Sequence, residues 1–203
     1  EMQGLTFEFM GLVMNDCSRY LLEGVTVIGA PTDGLSLDYT CGVDRFCTVI
    51  GSSNDNWNIH GNVDGSTDAT GRPSLDNFQV SEEMCSILAW DDGHSAHERS
   101  AVTLRGGIIE LCGSTACAPA SGAEVTAYHV TIADNGWRSD AEQSGVAVLN
   151  GPEDDGEGTI FEGHNLILRG NPRGVSCFGG TGEQKATLYN CMTFDCSEAA
   201  LYA

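Results

Sequence analysis

Short apolar–polar alternations, each closed by Gly, Asn or Asp, recur along most of this chain. Leu5-Thr6-Phe7, Leu12-Val13-Met14, Val25-Thr26-Val27 and Leu35-Ser36-Leu37 are early examples. Val102-Thr103-Leu104, Val125-Thr126-Ala127, Val130-Thr131-Ile132 and Val146-Ala147-Val148 continue the series, and Met192-Thr193-Phe194 falls near its end. A period of two predicts strands. No segment sustains the i, i+3, i+4, i+7 spacing of an amphipathic helix over a dozen residues, so the predicted class is all-β.

The alternations group in threes. Val125–Ala127, Val130–Ile132 and Val146–Val148 form one set; Ile160, Leu166–Leu168 and Val175–Cys177 the next; Leu188, Met192–Phe194 and Leu201 the last. Leading residues Val102, Val125, Ile160 and Leu188 lie 23, 35 and 28 residues apart, within the roughly 20–45 residues of a solenoid repeat. A three-residue strand cannot stand alone, but stacked on similar neighbours it pairs on both edges and hides alternate side chains. Ala127, Ile132 and Val148 are expected inside, with Thr126, Thr131 and Ala147 outside. Asn135 and Asn171, each three residues past a second strand, are expected to stack.

This cadence resembles the coils of pectate-lyase-type right-handed parallel β-helix proteins. Val125-Thr-Ala-Tyr-His-Val-Thr-Ile-Ala-Asp-Asn135 with Gly145-Val-Ala-Val148, and Ala186-Thr-Leu-Tyr-Asn-Cys-Met-Thr-Phe-Asp-Cys196, carry the likeness. It covers about residues 100–203 well and 4–50 fairly. The resemblance implies a right-handed parallel β-helix with three short strands per coil; a shared fold implies no activity. Residues 1–203 are read as one β-helix segment. A polar loop insertion is expected over 51–74, with Phe78, Val80, Ile87 and Leu88 returning to the solenoid. Both ends read as uncapped, which predicts either a longer chain or end-to-end stacking.

Charge narrows the function. There are 29 acidic against 9 basic residues, a net −20, and Lys185 is the single lysine. Such a surface argues against nucleic acid and anionic membranes as partners. No apolar run approaches the roughly 18 residues of a membrane span. The nine cysteines contain no Cys-x-x-Cys, so zinc ribbons and thioredoxin sites are not expected. The close spacings Cys41/Cys47, Cys112/Cys117 and Cys191/Cys196 suggest disulfides, hence an oxidising, extracellular location; an odd thiol remains for crosslinking.

Candidate chemistry is sparse. Trp90-Asp91-Asp92-Gly93-His94-Ser95-Ala96-His97-Glu98 places carboxylates near imidazoles, although a polar turn between strands has the same composition. Asp33, in Pro31-Thr-Asp-Gly-Leu-Ser-Leu-Asp38, is similar to the first aspartate of polygalacturonase-type hydrolases. That likeness makes Asp33, Asp91, Asp92 and His94 the catalytic candidates, although Pro31 and Ser36 depart from the family motif. A lyase of the same fold would use calcium and an arginine base. Glu153, Asp154, Asp155 and Glu157 are the calcium candidates, in an acidic turn that a solvated loop explains equally well; no other cofactor is expected. The sequence favours a non-catalytic, secreted structural or adhesive solenoid. It would stack on itself or on neighbouring domains of the same protein, or bind polysaccharide at the cell surface. The alternative is an enzyme acting on acidic polysaccharide.

Overall fold

The computed structural model describes residues 1–17, 19–61, 78–138, 143–149, 158–178 and 183–202. They form an all-β parallel β-helix of eight coils, with no helix among the described residues. Each coil carries three strands, and equivalent strands of successive coils pair in parallel to form three columns. The first column runs Met2–Gln3, Tyr20–Glu23, Cys41–Arg45, the first half of Phe78–Ile87, the first half of Ala101–Glu110, Glu124–Tyr128, Thr159–His164 and Gln184–Tyr189. The second runs Thr6–Glu8, Thr26–Ile28, Thr48–Ile50, the second halves of the same two long strands, Thr131–Ala133, Ile167–Arg169 and Met192–Phe194. The third runs Leu12–Asn15, Leu35–Asp38, Trp57–His60, His94–His97, Cys117–Pro119, Ser144–Leu149, Arg173–Phe178 and Ala199–Tyr202.

The predicted sets of three are these coils, but their register is finer than the leading residues suggest. Val125 pairs with Phe161 rather than Ile160, and Leu188 pairs with Gly163 rather than Ile160. Nor does the chain leave the solenoid at Gly51. Trp57–His60 is a full third-column strand whose Trp57 and Ile59 are buried. Its outward Asn58 and His60 give the segment its loop-like composition. Residues 62–77, the rest of the expected insertion, lie outside the described residues.

Corners explain how such short strands turn. The first is always two residues long, and its leading residue is left-handed in every coil: Gly4, Gly24, Phe46, Glu83, Gly106, His129, Asn165 and Asn190. The second opens the same way, with Phe9, Gly29, Gly51, Leu88, Leu111, Asp134, Gly170 and Asp195. These residues have φ between 50° and 73°. A side chain there costs roughly 1–2 kcal/mol, so phenylalanine and leucine hold the position only because hydrogen bonds to neighbouring coils fix it. The Phe46 N–H, for example, donates to Glu82 O at 2.9 Å and the Leu88 N–H to Glu110 O at 3.0 Å. The third corner varies, from the two residues Tyr39–Thr40 to the four of Ala120–Ala123.

Inward positions form one continuous core. Ala127, Ile132 and Val148 belong to it as expected. Ala147 alternates with them yet is also fully buried. Asn135 and Asn171 stack as predicted: Asn135 Nδ2 donates to Asn171 Oδ1 at 3.0 Å and to Ile109 O at 3.2 Å. Asn135 Oδ1 accepts the Cys112 N–H at 2.9 Å, while Asn171 Nδ2 donates to Ile132 O at 3.2 Å. Each amide thus satisfies corner groups that no strand can reach. The core also holds a polar layer. Asp44 is fully buried and accepts Gln79 Nε2 at 2.6 Å, Ser81 Oγ at 3.0 Å and Trp57 Nε1 at 3.3 Å. Burial nevertheless raises its pKa to about 6.

The expected disulfides are absent: no two of the nine cysteines are joined. Cys47 occupies the slot held by Val25 and Met84 in adjacent coils, and Cys117 the slot of His94 and Val146. Cys112 takes the place of Asn135 one coil earlier. These three act as small buried hydrophobes, and burial pushes the Cys47 and Cys112 thiols up to about 12. Cys41, Cys191 and Cys196 likewise form no disulfide.

Replacing Asn135 by Ala strands the Cys112 N–H and the Ile109 carbonyl in the interior. A loss of about 2 kcal/mol or more is expected, read as a lower urea midpoint with the strand signal unchanged before the transition.

Candidate functional site

The third column begins with a ladder of aspartates. Asp33, Asp55 and Asp92 each precede the first residue drawn into the column, and each carboxylate accepts the backbone N–H of the next coil's equivalent residue. The Asp55 N–H donates to Asp33 Oδ1 at 3.3 Å, the Asp92 N–H to Asp55 Oδ1 at 3.0 Å, and the Thr115 N–H to Asp92 Oδ1 at 2.9 Å. Asp33 also accepts Asn54 Nδ2 at 2.8 Å and Asn58 Nδ2 at 2.9 Å. Two of the four catalytic candidates, Asp33 and Asp92, therefore hold corner backbone. Burial, opposed by the Asp92 N–H and reinforced by Asp33 and Asp91, raises the Asp55 pKa to about 7.

The other two candidates point elsewhere. Asp91 pairs with Arg138 at 3.1 Å. His94 enters the core, fully buried, stacked on Trp57 with ring centroids 6.3 Å apart. Neither ring nitrogen has a hydrogen-bond partner among the described residues, and burial lowers its pKa to about 3. Alternation along His94–His97 thus divides the sequence cluster, sending His94 and Ala96 inward and Ser95 and His97 to the outer side. The calcium candidates Glu153, Asp154, Asp155 and Glu157 lie outside the described residues.

What the outer side assembles is a different group. Register places Ser36 and Asp38 beside Asn58 and His60, which in turn flank Ser95 and His97. Ser36, Asp38, Tyr39, His60 and Glu98 line a cleft of about 320 Å³. His60 Nδ1 lies 2.8 Å from Glu98 Oε2, and His60 stacks on His97 at 5.0 Å. Burial raises the Asp38 pKa, with His60 partly offsetting it. Burial first, then the neighbouring His60, lowers that of His97 to about 4. Carboxylate and imidazole at this spacing can exchange a proton. Ser95 Oγ sits 2.6 Å from His97 Nε2, but at 2% exposure Ser95 is out of a substrate's reach. Among the described residues no three His, Cys, Asp or Glu side chains are placed to hold a metal ion. The signal for this cleft in the sequence is the matched outward pair of Leu35–Asp38, Trp57–His60 and His94–His97, visible only once the three segments are aligned.

Further along the same edge, Trp90 and Trp137 meet edge to face at 5.5 Å. Arg138 lies over Trp90, 5.2 Å from the ring centroid. Neither Trp137 nor Arg138 stands out in the sequence.

The ladder makes stability depend on pH. Asp55 binds its proton more tightly folded than unfolded, so its contribution is complete below about pH 4 and is lost as the pH rises through about 7. Asp44 acts in the same sense. His94 and His97 act oppositely, stabilising above about pH 6.5 and ceasing to do so as the pH falls through about 4 and 3. Asp55→Asn keeps an oxygen for the Asp92 N–H and removes one titration. Its melting temperature is expected to exceed wild type by several degrees at pH 8 and to match it near pH 4.5.

Comparison with known proteins finds no matching family model, no matching curated protein and no matching solved structure.

Proposed function

We propose that this chain is a non-catalytic structural and adhesive β-solenoid that extends by laying one coil upon another. The observation that carries this reading is the stack itself, in which interior coils are held by parallel pairing with the coil before and the coil after. Leu201 is in register with Val175, which is 3% exposed, yet Leu201 itself is 69% exposed. At the other end Leu12 and Met14 are only partly buried, although they pair with the fully buried Leu35 and Leu37. A further coil of this cross-section, from a second copy or a neighbouring part of the same protein, would cover those side chains and pair with the open strand edges. The free thiols remove disulfides as an argument for secretion. An exterior location rests instead on the net charge of −20 with a single lysine, suited to a hydrated surface. The coil cadence supports a pectate-lyase-type, right-handed relationship.

Leu201→Lys places a charge on the stacking face. Buried charge costs several kcal/mol, so self-association by light scattering should weaken by about tenfold or more, with the circular dichroism unchanged. Wild type that stays monomeric at high concentration, with no filaments or stacks by electron microscopy, would sink the proposal.

The Asp38–His60–Glu98 cleft favours a second reading, an enzyme acting on acidic polysaccharide. Incubation with pectin and alginate, with and without Ca²⁺, distinguishes the two. The structural reading expects no new chain ends. Depolymerisation abolished by Asp38→Asn or Glu98→Gln would establish the enzymatic one.

A further inference from the structure

Two of the three tryptophans stand outside the core at half exposure, Trp90 at 54% and Trp137 at 49%. They belong to different coils, and the coil between is shaped to let them meet. Gly113 lies between them. A Cβ there would fall 2.0 Å from Trp90 O and 2.7 Å from Arg138 Cδ, so only glycine lets the Arg138 chain cross. Trp137 Nε1 donates to Leu111 O at 2.8 Å, pinning its indole to that intervening coil. Arg138 Nη1 donates to Trp90 O at 3.3 Å and to Asp91 Oδ1 at 3.1 Å. The pair is therefore set in place before anything binds, which lowers the entropy lost on binding.

The indoles, with Gly51, Ser52, Ser53 and Leu88, line a cleft of about 540 Å³, within the roughly 300–1,000 Å³ of small-ligand sites. An indole face is electron-rich and attracts the positive edge of C–H groups. The exposed Ser53 and the Asp91–Arg138 pair lie within the same corner and offer both donors and acceptors. Apolar faces with hydroxyl partners at the margin match a pyranose ring, which shows C–H groups on its faces and hydroxyls around its edge. A surface carrying −20 repels a polyanion, so the ring is uncharged.

We propose that the Trp90–Trp137 cleft binds a neutral glycan of pyranose rings. This deepens the adhesive part of the function above by supplying its ligand class; it does not depend on the stacking of coils. The Asp38–His60–Glu98 cleft takes no part in it.

The test uses the wild-type chain and cellohexaose, with polygalacturonate as the charged comparison. Calorimetry should show saturable binding of cellohexaose and at least about tenfold weaker binding of polygalacturonate. Trp90→Ala and Trp137→Ala should each weaken cellohexaose binding by about tenfold or more. Trp137→Phe, which keeps a ring and so guards against misfolding of the alanine variants, should fall between. The ligand should also perturb the indole fluorescence of the wild type, a signal that the core Trp57 cannot supply. Wild type that ignores cellohexaose, or alanine variants that bind it unchanged, would overturn the inference. Light scattering on the same samples separates the two ideas. Assembly without glycan binding leaves the structural reading intact, and glycan binding without assembly does the reverse.

Discussion

Everything in this molecule answers to one constraint: a strand of three or four residues has no stability until its backbone is bonded above and below. Neighbouring strands lie about 4.8 Å apart, so the strands and the first corner of each coil must repeat those of the last. The left-handed residue that opens the first and second corners is the device that makes the path repeat. Where a corner leaves a backbone group outside the columns, a side chain from an adjacent coil supplies the partner. Asn135 does this for Cys112 and Ile109, and Asp33, Asp55 and Asp92 do it for one another and for Thr115. Residues that look chemically active are thus first of all joints.

The same logic accounts for the polar layer in the core. Asp44 stands in the column position that Leu22 fills one coil earlier and Leu104 two coils later, and a lone carboxylate there would cost several kcal/mol. Gln79, Ser81 and Trp57 offset that cost from two different columns. Such a network fits only one alignment of the coils that carry it. A slip of one residue would turn Asp44 outward and strand its donors. The layer joins Asp44 and Trp57 of the third coil to Gln79 and Ser81 of the fourth, so it fixes how those two coils lie on each other.

Much of the architecture could be read from the sequence because period-two alternation is a local property. Val125-Thr126-Ala127 declares which side is inward without reference to any other segment. The Asn135–Asn171 pair was legible for a related reason, since both stand at one offset from a strand. The candidate site was not. Trp57-Asn58-Ile59-His60 hides a core strand behind two polar side chains. The grouping of Asp38, His60 and Glu98 exists only through a register joining segments 22 and 37 residues apart. His94 and His97 look equivalent in the chain and end in opposite solvents. The cysteine spacings misled because a close pair suggests a crosslink, whereas here Cys47, Cys112 and Cys117 are small side chains buried at separate core positions.

The unequal corners divide the chain into parts that can and cannot change length. An extra residue between Arg105 and Ile108 would bulge the wall or swing Ile109 into water, and the error would pass to every later turn. The third corner already spans two residues at Tyr39–Thr40 and four at Ala120–Ala123 without disturbing the columns on either side. It is a natural grafting point: a foreign peptide spliced at the exposed Tyr39 would ride on the outside of the scaffold. Repeated coils would then display copies of such a passenger in a line, at a pitch set by the backbone.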